Sequence, residues 1–459
     1  MRQRLYIRHV PTPSPVSEPP RAPGFGEALR FWLKLGFVSF GGPAGQIALM
    51  HQELVERRRW ISERRFLHAL NYCMVLPGPE AQQLATYIGW LLHRTWGGIA
   101  AGALFVLPSL AILIALSWIY LAWGDTPLVA GLFYGIKPAV TAIVLHAAHR
   151  IGSRALTNGW LWAIAAAAFV AVFAGGVPFP LIVLGAALVG AIGARAAPSR
   201  FAAGGGHGAA TACTGRAVID DTTPTPAHAL HRWPRFAAVA AAGLGLWTAA
   251  MGTLLAAGGW DGTLSQMGWF FTKAALLTFG GAYAVLPYVV DGAVEQHGWL
   301  TATQMIDGLA LGETTPGPLI MVVAFVGFVG GWTHGVLGPE SRAAGGALAA
   351  TVVTFFTFLP SFVFILLGGP LVETTHKDVR FTAPLTAITA AVVGVILNLA
   401  VFFAAHVFWP DGPGGRFDAA SAAIAAIAAV ALFVFRRGVM EVIGAAAAAG
   451  LVVSWLARA

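Results

Sequence analysis

The chain has 459 residues, of which 57% are hydrophobic and only 10% charged, with a net charge of +8 and a mean hydropathy of +0.72. A soluble globular chain carries about 25% charged residues, so a soluble enzyme or binding module is excluded. The cations lie in short loops between apolar runs, a positive-inside pattern rather than a nucleic-acid footprint, and no nucleic-acid partner is expected.

Residues 1–24 carry Pro11, Pro13, Pro15, Pro19, Pro20 and Pro23 before any apolar stretch, and read as a disordered cytoplasmic arm rather than a cleavable signal peptide. Apolar runs of span length follow at roughly 98–123, 128–148, 160–175, 180–196, 235–257, 344–369, 381–408, 418–435 and 439–457. Four further apolar segments, 28–50, 68–93, 264–290 and 305–332, are interrupted by glycine and proline. Between 197 and 234 the composition changes to Gly204-Gly205-Gly206, Asp220-Asp221 and Thr223-Pro224-Thr225-Pro226, a flexible linker. The expected organisation is therefore an arm (1–24), an N-terminal transporter repeat (25–196), a linker (197–234) and a C-terminal repeat (235–459). The fold class is an all-α polytopic membrane protein.

The interrupted segments are duplicated. Phe31, Lys34, Phe40-Gly41-Gly42, Trp60 and Pro77-Gly78-Pro79 recur without a gap, 239 positions on, as Phe270, Lys273, Phe279-Gly280-Gly281, Trp299 and Pro316-Gly317-Pro318. After a further 13 positions of shift, Leu107-Pro108-Ser109 recurs as Leu359-Pro360-Ser361. If all thirteen apolar segments cross, the arginine-rich arm and the loop 51–65 fall on opposite faces, against the positive-inside rule. If the four broken segments are re-entrant hairpins, about nine full spans remain. The arm, loop 51–65, Arg94, Arg150 with Arg154, the linker, Lys377 with Arg380, and Arg436-Arg437 then become cytoplasmic, and the acidic loop 291–304 external. Either count leaves an odd number of crossings between the copies, so they are inverted. Inverted repeats with broken helices at membrane depth are a secondary-transporter architecture.

Each Pro-Gly-Pro stops one helix and starts another, leaving backbone N–H groups and a positive dipole end at the break. The candidate anion-binding residues are Lys34, Gly41, Gly42, Pro77, Gly78, Pro79, Gln82 and Gln83 in the first copy. In the second they are Lys273, Gly280, Gly281, Thr314, Thr315, Pro316, Gly317 and Pro318. Glu80 and Glu313, beside the breaks, are candidate proton carriers, since a carboxylate near an anion is disfavoured when ionised. The bland readings are interfacial lysines, a helix-capping Glu80 and amides or hydroxyls that bridge helices. His146 and His149 lack a second histidine pair for haem, and Cys73, Cys213, His207, His228 and His231 lack metal-ligand spacing. No Walker motif, no Ser/His/Asp set and no GxSxG elbow occurs, so neither ATP, a cofactor nor a metal is expected. A gradient-driven transporter, an uncoupled anion channel and a membrane oxidoreductase remain as function classes, the last disfavoured by the missing redox ligands.

Several motifs closely resemble the chromate ion transporter family, in its long two-domain form. They are Phe40-Gly41-Gly42-Pro43, Trp60 with Phe66, the run Leu76-Pro77-Gly78-Pro79-Glu80 continuing to Gly89, Phe279-Gly280-Gly281-Ala282-Tyr283, Thr314-Thr315-Pro316-Gly317-Pro318, and Gly394-Val395-Ile396-Leu397-Asn398. The resemblance covers about 25–200 and 235–457. It implies export of chromate from the bacterial cytoplasm across the inner membrane, giving chromate resistance, with sulfate as competitor or alternative substrate. A homodimer is a candidate assembly. The copies differ in that Glu313 precedes its break whereas Glu80 follows its own, and the long histidine-bearing linker has no family role to borrow.

Overall fold

The computed structural model describes residues 20–456, apart from Gly41, Asp125, 197–199, 201–215, Thr225, Gly280, 375–381 and Pro413. The arm up to residue 19, Gly41, Gly280, His207, Cys213, Lys377 and Arg380 thus lie outside the described residues. Within them the chain forms sixteen α-helices. The first copy comprises α1 (Phe25–Val38), α2 (Gly42–His51), α3 (Glu63–Val75), α4 (Glu80–Trp123), α5 (Pro127–Ala155), α6 (Gly159–Phe173) and α7 (Phe179–Ala196). Then α8 (Trp233–Gly258) leads to α9 (Thr263–Leu276), α10 (Ala282–Val290), α11 (Ala302–Thr314), α12 (Val322–Thr333), α13 (Arg342–Thr374), α14 (Thr382–Phe408), α15 (Ala419–Phe433) and α16 (Val439–Leu456). The repeat extends to fine detail. Single π-helical turns at Gln52–Arg57 and Asp291–Gln296 stand at equivalent positions. Ser62 and Thr301 cap the equivalent helices α3 and α11 by accepting from the N–H groups of Arg65 and Gln304.

The broken segments return to the side they enter. From α1 the chain runs inward to Ser39, turns, and comes back along α2, so that Trp60 packs on Phe31 at 5.1 Å and Arg58 lies 3.7 Å from Glu27. Next α3 runs inward to Pro77-Gly78-Pro79, and the first limb of α4 runs out again. Helix α4 reverses at His93 and Arg94, which leave helical geometry. There the His93 ring meets Phe25 at 5.5 Å and the carbonyl of Pro23 at 3.0 Å, beside the start of α1. The two limbs of α4 then pack antiparallel. A Cβ on Gly89 would lie 2.5 Å from Ala101, and one on Gly102 would lie 2.2 Å from the Thr86 hydroxyl. The second copy repeats the arrangement, with Phe270 on Trp299 at 5.5 Å and α12 reversing onto α13 through Gly327 and Gly331.

Seven helices are long and apolar enough to cross a bilayer: α4, α5, α7, α8, α13, α14 and α16. The 15-residue apolar helices α6 and α15 occupy equivalent places between them. This corresponds to the nine spans and re-entrant hairpins expected from the charge pattern. Each copy contains four spans, an even number, so simple duplication would leave the copies parallel. Helix α8, which has no counterpart in the first copy, adds the odd crossing. It buries only Gly243 and Met251, as befits a connector on the periphery. The inversion is visible in α13, which runs antiparallel to the second limb of α4. Its end lies against the hairpin α3–α4, with Gly369 on Trp90 and the Tyr72 hydroxyl donating to the Phe364 carbonyl at 3.0 Å.

The remaining spans interlock across the copies. Helix α5 packs on α15 and α16, and α14 on α6 and α7. Small residues allow the approach, as is usual between membrane helices. Gly450 of α16 faces Gly135 of α5, and its equivalent Gly190 of α7 faces Ala387 of α14. Part of the linker is also packed, contrary to its expected flexibility. Val218 and Ile219 donate to the carbonyls of Arg59 and Trp60, Ala229 is fully buried, and His228 contacts the Trp90 carbonyl at 2.9 Å. Apolar Ile219 and Ala229 find a groove on the first copy that composition alone does not reveal.

A Cβ on Gly450 would lie 2.3 Å from the Gly135 nitrogen, whereas one on Gly245 of α8 meets nothing within 4 Å. Gly450→Val therefore lowers stability by about 1–3 kcal/mol or more, and Gly245→Val leaves it near wild type. Thermal unfolding in detergent distinguishes the two.

Candidate functional site

The tips of the four hairpins meet inside the molecule, and each copy ties itself to the other. Gly78 N–H, in the first Pro-Gly-Pro, donates to the Thr278 carbonyl at 2.7 Å, and Gly317 N–H, in the second, donates to the Ser39 carbonyl at 2.8 Å. Ser39 and Thr278 are equivalent residues at the ends of the hairpins that begin with α1 and α9. The two bonds are thus one contact seen twice across a pseudo-two-fold axis. Both glycines have positive φ, +132° and +103°, which L side chains rarely adopt. Each is also pressed against the other copy: a Cβ on Gly78 would lie 2.3 Å from the Ser361 hydroxyl, and one on Gly317 would lie 2.7 Å from the Ser109 Cβ. The repeated Leu-Pro-Ser motif therefore supplies the wall on which the opposite Pro-Gly-Pro rests.

Around this crossing the polar side chains are buried and incompletely bonded. Gln46, from α2, donates its amide to the Gly317 carbonyl at 2.5 Å and to the Ser39 carbonyl at 3.3 Å. Gln83 donates to the Pro77 carbonyl at 2.8 Å, and Gln82 to the Thr86 hydroxyl at 3.0 Å. Thr314 and Thr315 donate to the carbonyls of Leu311 and Gly312. The hydroxyls of Ser39, Ser109 and Ser361 and the amide oxygens of Gln46, Gln82 and Gln83 have no hydrogen-bond partner among the described residues, although all six side chains are at most 1% exposed. Buried polar groups are rarely left so. Three free hydroxyls in one dry region are donors available to an oxyanion, and the unpaired amide oxygens are available to water or to a protonated oxygen.

The carboxylates differ in setting. Glu80 opens α4, at its positive end. Glu313, near the end of α11, accepts from the buried Tyr283 hydroxyl of α10. Lys34 and Lys273 are not brought to the crossing. Both are exposed on the outward faces of α1 and α9, and the Lys273 ammonium lies 5.9 Å from the Trp269 ring centre. Within Pro77-Gly78-Pro79 and Pro316-Gly317-Pro318 the glycines reach the opposite copy, Gln82, Gln83, Thr314 and Thr315 bond within their own copy beside these breaks, and Gly42 and Gly281 stand at the starts of α2 and α10.

Sequence reasoning passed over Ser39, Gln46, Ser109 and Ser361. The two Leu-Pro-Ser serines carried a signal, their recurrence, and so did Ser39, whose register partner is Thr278. Gln46 carried none, since its equivalent is Val285. Also missed was a buried ionic group, Asp307 of α11 with Lys137 of α5, at 3.4 Å.

The family profile described as "Chromate transporter" matches residues 26–191 and 265–451, one block in each copy. A chromate transport protein of Pseudomonas aeruginosa is 34% identical over 379 residues, 80% of this chain and 77% of that one. The chromate transport protein of Cupriavidus metallidurans is 28% identical over 381 residues, 82% of each. An uncharacterized transporter of Bacillus subtilis, 29% identical, aligns over only 143 residues, 31% of this chain but 72% of its own length. No solved structure matches. With both copies matched by one profile and relatives aligned across most of its length, this multi-pass membrane protein belongs to the chromate transporter family.

Proposed function

We propose that the chain is a secondary active transporter that exports chromate from the cytoplasm across the bacterial inner membrane, driven by the proton gradient, with sulfate as a competing tetrahedral dianion. Two lines support this reading: membership of the family, whose named relatives are chromate transport proteins, and the crossing of inverted hairpin tips. The single observation that carries the site is the reciprocal pair of bonds, Gly78 to Thr278 and Gly317 to Ser39. They join broken helices from opposite sides at the place where a carrier with alternating access holds its cargo. The oxyanion binds between Pro77-Gly78-Pro79 and Pro316-Gly317-Pro318, flanked by Gly42 and Gly281 at the starts of α2 and α10. The hydroxyls of Ser39, Ser109 and Ser361, unpaired among the described residues, are its donors, since the Gly78 and Gly317 N–H groups are committed to Thr278 and Ser39. Gln82, Gln83, Thr314 and Thr315 complete the polar wall. Lys34 and Lys273 stand outside this cluster and are assigned no contact with the anion. Glu313, buried against Tyr283, and Glu80, at the helix start, exchange the coupling proton, because an ionised carboxylate beside a dianion is unfavourable.

Everted vesicles expose the cytoplasmic face, so an exporter loads their lumen. Labelled chromate is expected to accumulate when a proton gradient is imposed, and sulfate to block it only at large excess. Equal uptake of the two anions makes the protein a sulfate permease, and flux indifferent to the gradient makes it a channel. Within the same assay, Gly78→Leu and Gly317→Leu each abolish uptake while the protein remains in the membrane, since either side chain must displace a serine of the opposite copy. Normal uptake by either variant removes the anion from the crossing.

A further inference from the structure

The crossing is bracketed by two buried charged clusters, one toward each end of the molecule. Each joins a re-entrant helix of one copy to the end of a long span of the other. On the arginine-rich side, Arg65 of α3 donates to Glu373 of α13 at 3.1 Å, and Tyr87 donates to the second oxygen of Glu373 at 2.6 Å. Arg65 also donates to the Thr223 carbonyl of the packed linker at 2.5 Å. On the opposite side, Lys137 of α5 lies 3.4 Å from Asp307 Oδ2, and Tyr120, near the end of α4, donates to the same oxygen at 2.8 Å. Helices α3 and α11 are equivalent, and so are α13 and the second limb of α4. The clusters are therefore pseudo-symmetric although their residues are not: the register partner of Asp307 is His68.

Their bonding differs in one respect that matters for proton chemistry. Both oxygens of Glu373 are engaged. Asp307, 1% exposed, has both partners on Oδ2, and its Oδ1 has none among the described residues. A carboxylate buried with one oxygen bare is poised to bind a proton there, because a buried charge with an incomplete shell is costly. Its counter-charge is a lysine whose side chain is 27% exposed. The Tyr120 ring is fixed by Phe133 and Phe325 at 5.0 and 5.4 Å. Among the described residues, Lys137 and Tyr120 are the ionisable groups that act on Asp307. Of the other helices packed on α11, α12 has no ionisable residue, α14 has only His406 and α16 only Glu441, both exposed.

We propose that Asp307 is the outer proton-loading site of the transport cycle and that its pair with Lys137 is the outer gate. The side opposite the arginine-rich loop is the external one by the positive-inside bias. A proton entering there binds Asp307 Oδ1. The ion pair becomes a neutral acid and a lysinium ion, with the total charge raised by that one proton. The bond between α11 and α5 is lost, and the released lysinium faces the outgoing dianion. Arg65 and Glu373 form the inner latch, whose carboxylate is bonded at both oxygens. This inference rests on the transporter reading and names residues outside the proposed anion site.

The test uses the full-length protein in proteoliposomes. In Asp307→Asn, gradient-driven chromate accumulation is lost while chromate–chromate exchange at equal pH continues, whereas loss of both in a monodisperse variant shows a structural ion pair and overturns the proposal. Accumulation that still follows the gradient overturns it too. Asp307→Glu keeps the carboxylate, is expected to stay coupled and shifts the pH profile of accumulation. An unchanged profile counts against the assignment even if the asparagine variant fails to fold. A substrate-free readout separates this idea from the function itself. Infrared difference spectra of wild type across pH contain a protonated-carboxyl band that Asp307→Asn lacks, and a band unaltered by the substitution refutes Asp307 as the loading site. Absence of any chromate flux in wild type alongside that titrating band sinks the substrate reading and leaves the proton site.

Discussion

The structure depends on one constraint: backbone N–H and carbonyl groups at membrane depth must be bonded within the protein. Four helix breaks in the interior create such groups in quantity. The solution is reciprocal, since each copy's Pro-Gly-Pro donates to the carbonyl at the other copy's first hairpin tip, Gly78 to Thr278 and Gly317 to Ser39. Gln46 adds a side-chain amide to two carbonyls there. Each copy's breaks are thus satisfied in part by the other. The inverted arrangement is thus a bonding requirement as well as a consequence of duplication, and it places the partly bonded polar groups where the copies meet.

The interlocking of the outer spans follows the same logic with packing in place of hydrogen bonds. In lipid, helices gain little by excluding apolar surface from water, so close backbone approach through small residues carries the association. Gly135 against Gly450, and Gly394 against Ala165, join helices of different copies. A half-length chain built on this plan lacks both the partner for its hairpin tips and the partner for α5.

Much of the architecture was legible because its signals are periodic or duplicated. Span lengths, the 239-residue register and the arginine distribution leave nine spans with re-entrant hairpins or thirteen spans, and Trp60 on Phe31 and Trp299 on Phe270 show the return. The site was legible only where the backbone makes it, at the Pro-Gly-Pro units. Lys34 and Lys273 share a register position but stand on the outward faces of their helices, because equivalence fixes depth and not function. Asp307 escaped notice for the opposite reason. Its partners Lys137 and Tyr120 lie on other elements, and its register partner is His68, so no local pattern marks it. The packing of 216–232 was invisible because a proline- and threonine-rich composition describes the unfolded preference of a segment and not the groove it meets.

Inversion also explains why the copies diverge in charge while keeping their geometry. Arg58 lies over Trp60, 5.2 Å from its ring centre, and at the same place in the second copy His297 stacks on Trp299 at 4.5 Å. A flat cationic or aromatic group is needed to cover that tryptophan in both. The arginine on the first copy's tryptophan follows the positive-inside bias. Burial, aided by nearby Lys273, lowers the pKa of the His297 ring, so the external copy covers its tryptophan without a charge at neutral pH. The same pressure acts on the buried clusters, which retain an arginine pair on the inner side and a lysine–aspartate pair on the outer. Two copies of one fold, placed in opposite orientations, thereby carry different chemistry at the two ends of the molecule.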